Sequence, residues 1–117
     1  TIMNLKEAYQ QFGGDYQGVM TRLQNEEMIT RLAKKFIDDE SYQSLKENLE
    51  KNNIDEAFRF VHTLKGICSN FGFNDLYESS CLLTEELRNR QTEHVEEYFK
   101  KITNDYEKVI QALKQLD

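Results

Sequence analysis

The side chains in this 117-residue chain whose types could do chemistry are few: two histidines, two cysteines and scattered carboxylates. His62 stands in the run Val61-His62-Thr63-Leu64-Lys65-Gly66, with a lysine three residues on and a glycine four residues on. Histidine's ordinary pKa of about 6.5 leaves the ring largely uncharged near neutral pH, with one nitrogen able to act as a nucleophile. Such a ring can accept a phosphoryl group without a dedicated base. Lys65 could offset the charge of roughly −2 that a phosphoryl group adds, a contact pair at surface dielectric being worth about 1–4 kcal/mol before screening. Glycine inside a helix costs about 1 kcal/mol relative to alanine, so Gly66 points to a close approach beside His62. A lone exposed histidine is usually decorative and a lone glycine usually a packing accommodation. The combination, with Leu64, Lys65 and Gly72, carries the argument.

The remaining reactive residues suggest less. His94, near the carboxylates Glu93, Glu96 and Glu97, suits a solvent-exposed surface better than a metal site, and no metal or cofactor is expected. Cys68 and Cys81 lack the paired spacing of a zinc site or a disulfide framework and read as small core residues in a reducing compartment. No serine or cysteine has a histidine in a nucleophile arrangement. No glycine-rich phosphate loop or Walker-type lysine is present. The tyrosines Tyr16, Tyr42, Tyr77, Tyr98 and Tyr106 fall in different segments, as core and rim fillers do.

The elements that must position His62 are all helical. Asn4 and Glu7 have capping-box spacing ahead of Leu5, Ala8, Tyr9 and Phe12, predicting a short helix that stops at Gly13-Gly14 and lies as a lid on the core. Asp15 can cap a second short helix carrying Val19, Met20 and Leu23. Asn25, followed by Glu26 and Glu27, opens a third that runs through Phe36 and Ile37. The cluster Asp38 to Ser41 interrupts it with a break near Ser41, and Leu45 and Leu49 resume the pattern until Asn52-Asn53.

Asn53 and Glu56 again have capping-box spacing, and the helix they open has apolar residues at Ala57, Val61, Leu64, Cys68 and Phe71 before Gly72. At 100° per residue, Phe58, Arg59, Lys65, Gly66 and Ser69 fall on the side of His62, opposite that stripe. His62 is therefore predicted to face solvent. Asn74 or Asp75 can cap the next helix, which carries Leu76, Ser80, Leu83 and Leu87 and ends in the basic run around Arg88 and Arg90. The last helix starts near Thr92 and places Val95, Phe99, Ile102, Tyr106, Val109, Leu113 and Leu116 in a sustained heptad. Short joints make neighbouring helices antiparallel. The fold expected is all-α, an antiparallel up-and-down four-helix bundle over about residues 25–117 with short N-terminal helices over about residues 4–24, in one domain over residues 1–117.

Composition is consistent with this. The chain is 38% hydrophobic and 31% charged, with neither proline nor tryptophan, so long helices are allowed and disorder is not expected. A formal net charge of −6 argues against a surface built for nucleic acid or anionic membrane. With no transmembrane-length apolar run and no signal-peptide layout, a cytoplasmic location is expected.

The run from His62 to Gly66, followed six residues later by Gly72, resembles the signature of histidine phosphotransfer (HPt) domains, and the resemblance extends over roughly Met28 to Arg88. It implies a phosphocarrier without an ATP site in a multistep two-component phosphorelay. The ring of His62 would take a phosphoryl group from an aspartate on one response-regulator receiver domain and give it to another. The receiver would supply the aspartate, the magnesium and its own lysine. By position, His62 matches the phosphorylated residue, Lys65 the basic residue near the phosphate, and Gly66 the small residue that admits the receiver. The implied partners are receiver domains and a hybrid sensor kinase, and one bundle suffices, so a monomer is expected. Val61 before the histidine and Ile67-Cys68 after Gly66 depart from the alanine and the Ser-Ala pair that many members carry; these read as packing variants. Phe58, Arg59 and Ser69 are expected at the docking surface, with Phe58 as its apolar contact or rolled into the bundle edge. Two other readings compete. A helical adaptor could bind a partner through this face without carrying phosphate, a reading that loss of the histidine would have favoured. A substrate domain of a chemotaxis-type kinase would expect attached kinase domains.

Overall fold

Burial of one face on each of several helices shapes the computed structural model, which describes residues 2–116; the expected domain ends, residues 1 and 117, lie outside them. In chain order the helices are α1 (Leu5–Gln11), α2 (Tyr16–Leu23), α3 (Glu26–Lys34), a 3₁₀ turn (Lys35–Asp38), α4 (Ser41–Glu50), α5 (Ile54–Phe71), α6 (Asn74–Arg88) and α7 (Val95–Lys114). Among the described residues there is no strand, only an isolated bridge between Met3 and Leu116. No helix among them is long and apolar enough to cross a membrane.

The helices α4, α5, α6 and α7 form the four-helix bundle, α5 packing between α4 and α6, and α6 between α5 and α7. Tyr42 closes the ring. Its side chain stacks on Phe99 and Tyr106 of α7, at centroid distances of 5.6 and 4.0 Å, and its hydroxyl lies 2.9 Å from that of Thr103. Most of the predicted core is buried: Ala57, Val61, Leu64 and Cys68 from α5, Leu76, Ser80, Leu83 and Leu87 from α6, and Ile102, Val109 and Leu113 from α7, whereas Phe71, Val95, Phe99 and Tyr106 of the same stripes are half-buried at its edge. Burying Val61 and Leu64 contributes about 1.5–3 kcal/mol each.

The N-terminal helices do form a lid. The capping box of Asn4 and Glu7 is complete, and Asp15 and Asn25 accept backbone N–H groups of Gly18 and Met28. Tyr9 and Phe12 pack against Phe73, and the Tyr9 hydroxyl donates to the Phe71 carbonyl at 2.7 Å. Two loops interlock beneath this lid. The Asp15 N–H donates to the Gly72 carbonyl at 2.7 Å, and the Asp75 N–H to the Gly13 carbonyl at 3.1 Å. Gly72 holds a left-handed φ of 67°, and a Cβ there would sit 3.0 Å from the Asp15 carbonyl oxygen.

Several boundaries differ from expectation. The third helix ends at Lys34, and Phe36 and Ile37 lie in the 3₁₀ turn; the break falls at Asp39–Glu40, where the Asp39 carboxylate accepts the Ser41 N–H. Asn53 does precede α5, but the capping box does not form, because Glu56 pairs with Arg59 at 2.6 Å instead. The cap of α6 is Phe73 rather than Asn74 or Asp75, because burial of the Phe73 ring and the Gly13 carbonyl satisfy that end through tertiary contacts. Helix α7 starts at Val95, not near Thr92, since the Glu86 carboxylate captures the His94 N–H at 2.8 Å and fixes the entry one turn later.

Gly72→Ala is expected to destabilise the protein by about 1–2 kcal/mol, the cost of a left-handed conformation for a residue with a Cβ, with some addition from crowding against Asp15. Urea unfolding followed by circular dichroism measures it; an unchanged midpoint would show that the interlock relaxes freely.

Candidate functional site

Helix α5 is held by a stripe at steps of four, three and four, Ala57, Val61, Leu64 and Cys68, each without exposed surface. With 3.6 residues per turn, that burial turns the opposite arc outward. His62, Gly66 and Ser69 are exposed, while Phe58 and Lys65 are half-buried at the edge of the arc. The histidine thus sits near the middle of an 18-residue helix, on a face that no other helix covers. In the buried stripe of the same helix, burial, and to a lesser degree the neighbouring Cys81, pushes the Cys68 thiol well above its usual range.

The Phe58 ring stacks on the imidazole of His62, with centroids 5.9 Å apart and planes 18° from parallel. The guanidinium of Arg88, from α6, lies 5.2 Å from the centroid of the same ring. Among the described residues neither imidazole nitrogen of His62 makes a hydrogen bond, and Lys65 takes part in no ion pair. A Cβ added at Gly66 would meet nothing within 4 Å. No internal packing requires this glycine. The surface beside His62 is therefore an open notch flanked by one uncommitted ammonium group.

The other expected docking residues are arranged less simply. Arg59 is exposed, but its guanidinium is paired with Glu56 and lies 4.4 Å over the Phe60 ring, leaning away from His62. Phe58 lies at the bundle edge, packed against the core yet in contact with His62. Ser69 is exposed two turns along the arc, and its carbonyl and that of Asn70 receive the guanidinium of Arg22 at 3.5 and 2.7 Å. Arg22 and Arg88 are additions that the linear sequence did not supply. Arg88 had a trace: it and Phe58 lie 15 residues to either side of Phe73, as paired positions do in a helical hairpin with a tight joint. Arg22 had none, because the pairing of α2 with the end of α5 joins residues 47 and 48 positions apart.

His94 stands apart from this face. Its Nδ1 lies 3.3 Å from Glu86 and its ring stacks on Tyr98, so it stitches the start of α7 to α6 while its side chain stays 45% exposed, as expected of a surface residue. Among the described residues no group of three or more histidines, cysteines and carboxylates is placed to hold a metal ion.

The four-helix bundle thus presents an exposed histidine, with no hydrogen bond at either ring nitrogen among the described residues, beside an open notch and a lysine outside any ion pair. The family model of the Hpt domain matches residues 22–115, and the chain belongs to that family. Domains of this family are phosphocarrier modules that serve histidine phosphotransfer in two-component signalling, with response-regulator receivers as partners. No curated protein and no solved structure matches the chain.

Because a Cβ at Gly66 would meet nothing within 4 Å, Gly66→Ala should stabilise the fold by about 1 kcal/mol, the mid-helix propensity difference. Thermal and urea unfolding check this; a loss of stability would mean that the glycine serves packing after all.

Proposed function

We propose that this chain acts as one carrier domain over residues 1–117 in a multistep phosphorelay, holding a phosphoryl group on His62 between aspartates of receiver domains. The observation that carries the reading is the conjunction at one place of an exposed mid-helix imidazole, the open notch at Gly66 and the unpaired Lys65. In the forward step the unprotonated ring nitrogen forms an N–P bond as the acyl-phosphate P–O bond breaks. The aspartate leaves as a carboxylate, and the second ring nitrogen keeps its proton. The reverse step on a second receiver regenerates the neutral ring. Lys65 lowers the cost of the added negative charge, and Gly66 lets the receiver's active site reach the imidazole.

The receiver supplies the magnesium and the remaining catalytic groups, so the carrier needs no ATP site and no resident cofactor. A hybrid sensor kinase is the natural upstream donor, and a cytoplasmic, monomeric carrier suits the role. Because the partners must part after transfer, the docking interface should bury under roughly 1,200 Å² in total. Ser69 extends this face along α5, and Phe58 gives it an apolar edge.

Incubation with a phosphorylated receiver should place an acid-labile, alkali-stable label on the wild type and none on His62→Gln. Label retained by that variant would overturn the assignment. Gly66→Leu should slow transfer at least tenfold while the helical signal and melting stay close to those of wild type. Lys65→Ala should cost only a few-fold in transfer or retention, since an exposed pair contributes about 1 kcal/mol or less.

A further inference from the structure

The imidazole of His62 is held by contacts that are unusual for a residue that must present one nitrogen in a defined direction. Among the described residues no hydrogen bond fixes either nitrogen; what touches the ring plane is Phe58, one turn earlier on the same helix. Phe58 in turn carries the guanidinium of Arg88 at 5.2 Å, within the range of a cation–π contact. Arg88 does not float there. Its Nε is 3.1 Å from Glu85 on the preceding turn of α6, which orients the guanidinium plane. Two residues on, in the turn after α6, Arg90 makes a solvent-exposed pair with Asp55 in the first turn of α5 at 2.9 Å.

The direction of approach matters. Arg88 reaches Phe58 from the Asp55 end of α5, and a small cavity of about 290 Å³ lined by Ile54, Asp55, Phe58, Leu87, Arg88 and Arg90 lies on that side. His62 lies one turn away in the other direction. Among the described residues Arg88 contacts the phenyl ring and makes no hydrogen bond to the imidazole. Without the guanidinium, the Phe58 side chain could drop into the adjacent cavity and leave the imidazole without its stacking partner.

We infer that Arg88 is a positioning residue for phosphoryl transfer, acting through the Phe58 ring to hold the plane of the His62 imidazole. This role rests on the carrier function proposed above. An in-line displacement requires the nitrogen lone pair to point along the P–O bond that breaks, and small misorientations of a reacting group are costly in rate. The column Arg88–Phe58–His62 restricts that orientation before a receiver arrives.

The test combines transfer kinetics with proton NMR of the imidazole in wild type, Arg88→Ala, Phe58→Leu and the double variant. In the wild type the carbon-bound imidazole protons should carry a ring-current shift from Phe58, lost in Phe58→Leu and reduced in Arg88→Ala. Arg88→Ala should lower the transfer rate at saturating phosphorylated receiver by roughly two- to fivefold, the equivalent of an exposed cation–π contact, with little change in the half-saturating receiver concentration. In the Phe58→Leu background the same substitution should have no further effect. Equal slowing in both backgrounds would overturn the inference, since Arg88 would then act on the phosphoryl group directly. So would unchanged imidazole shifts and unchanged transfer in Arg88→Ala while the wild type remains active. A wild type that takes no label overturns the carrier reading and with it this role, while the imidazole shifts still report whether the column exists.

Discussion

The face that α5 must bury governs the site. Ala57, Val61, Leu64 and Cys68 are fully enclosed, and a helix has one azimuth at which all four can be. With that rotation fixed, His62 has no choice of direction. A rotation large enough to bury the histidine would expose Val61 or Leu64, at about 1.5–3 kcal/mol for each side chain returned to water. The outward projection of the imidazole is thus maintained by packing on the far side of its own helix, although among the described residues no hydrogen bond holds the ring.

The end of α5 is fixed with equal economy of parts. Gly72 turns the chain in a left-handed conformation, its carbonyl accepts the Asp15 N–H, and Gly13 returns the contact to Asp75. This exchange sets the joint between α5 and α6 against the joint between α1 and α2. Phe73, fully buried, is surrounded by the rings of Tyr9, Phe12, Phe36 and Phe71. The lid is therefore part of the structure that sets the α5–α6 register. That register brings Arg88 opposite Phe58 and Arg90 opposite Asp55. The matched family region begins at residue 22, so α1 and most of α2 lie outside it although they secure the hairpin on which the site stands.

Glycine serves opposite purposes at two places on the same helix. At Gly72 the backbone demands it, through a φ of 67° and an oxygen close to where a Cβ would be. At Gly66 neither condition holds, and the fold would be better served by alanine. Gly66 weakens its helix without relieving any internal contact among the described residues, and it sits one turn from His62.

Local pattern in the sequence determined the helices, the stripe of α5, the outward direction of His62 and the motif His62 to Gly66, because each depends on residues within a few turns of one another. The caps at Asn4, Asp15 and Asn25 were legible for the same reason: a side chain meeting an N–H two or three residues on is a local event. The failures were equally physical. Asn53 and Glu56 have the spacing of a box, but Arg59 competes for the same carboxylate; the last helix was expected near Thr92, but Glu86 from another helix takes the His94 N–H. Only the tertiary structure placed Arg88 over Phe58 and Arg22 beside Ser69, since the register between helices is set by joints and core packing that no single segment encodes. It also emptied the space around Gly66, which is a property of what the neighbouring helices leave uncovered.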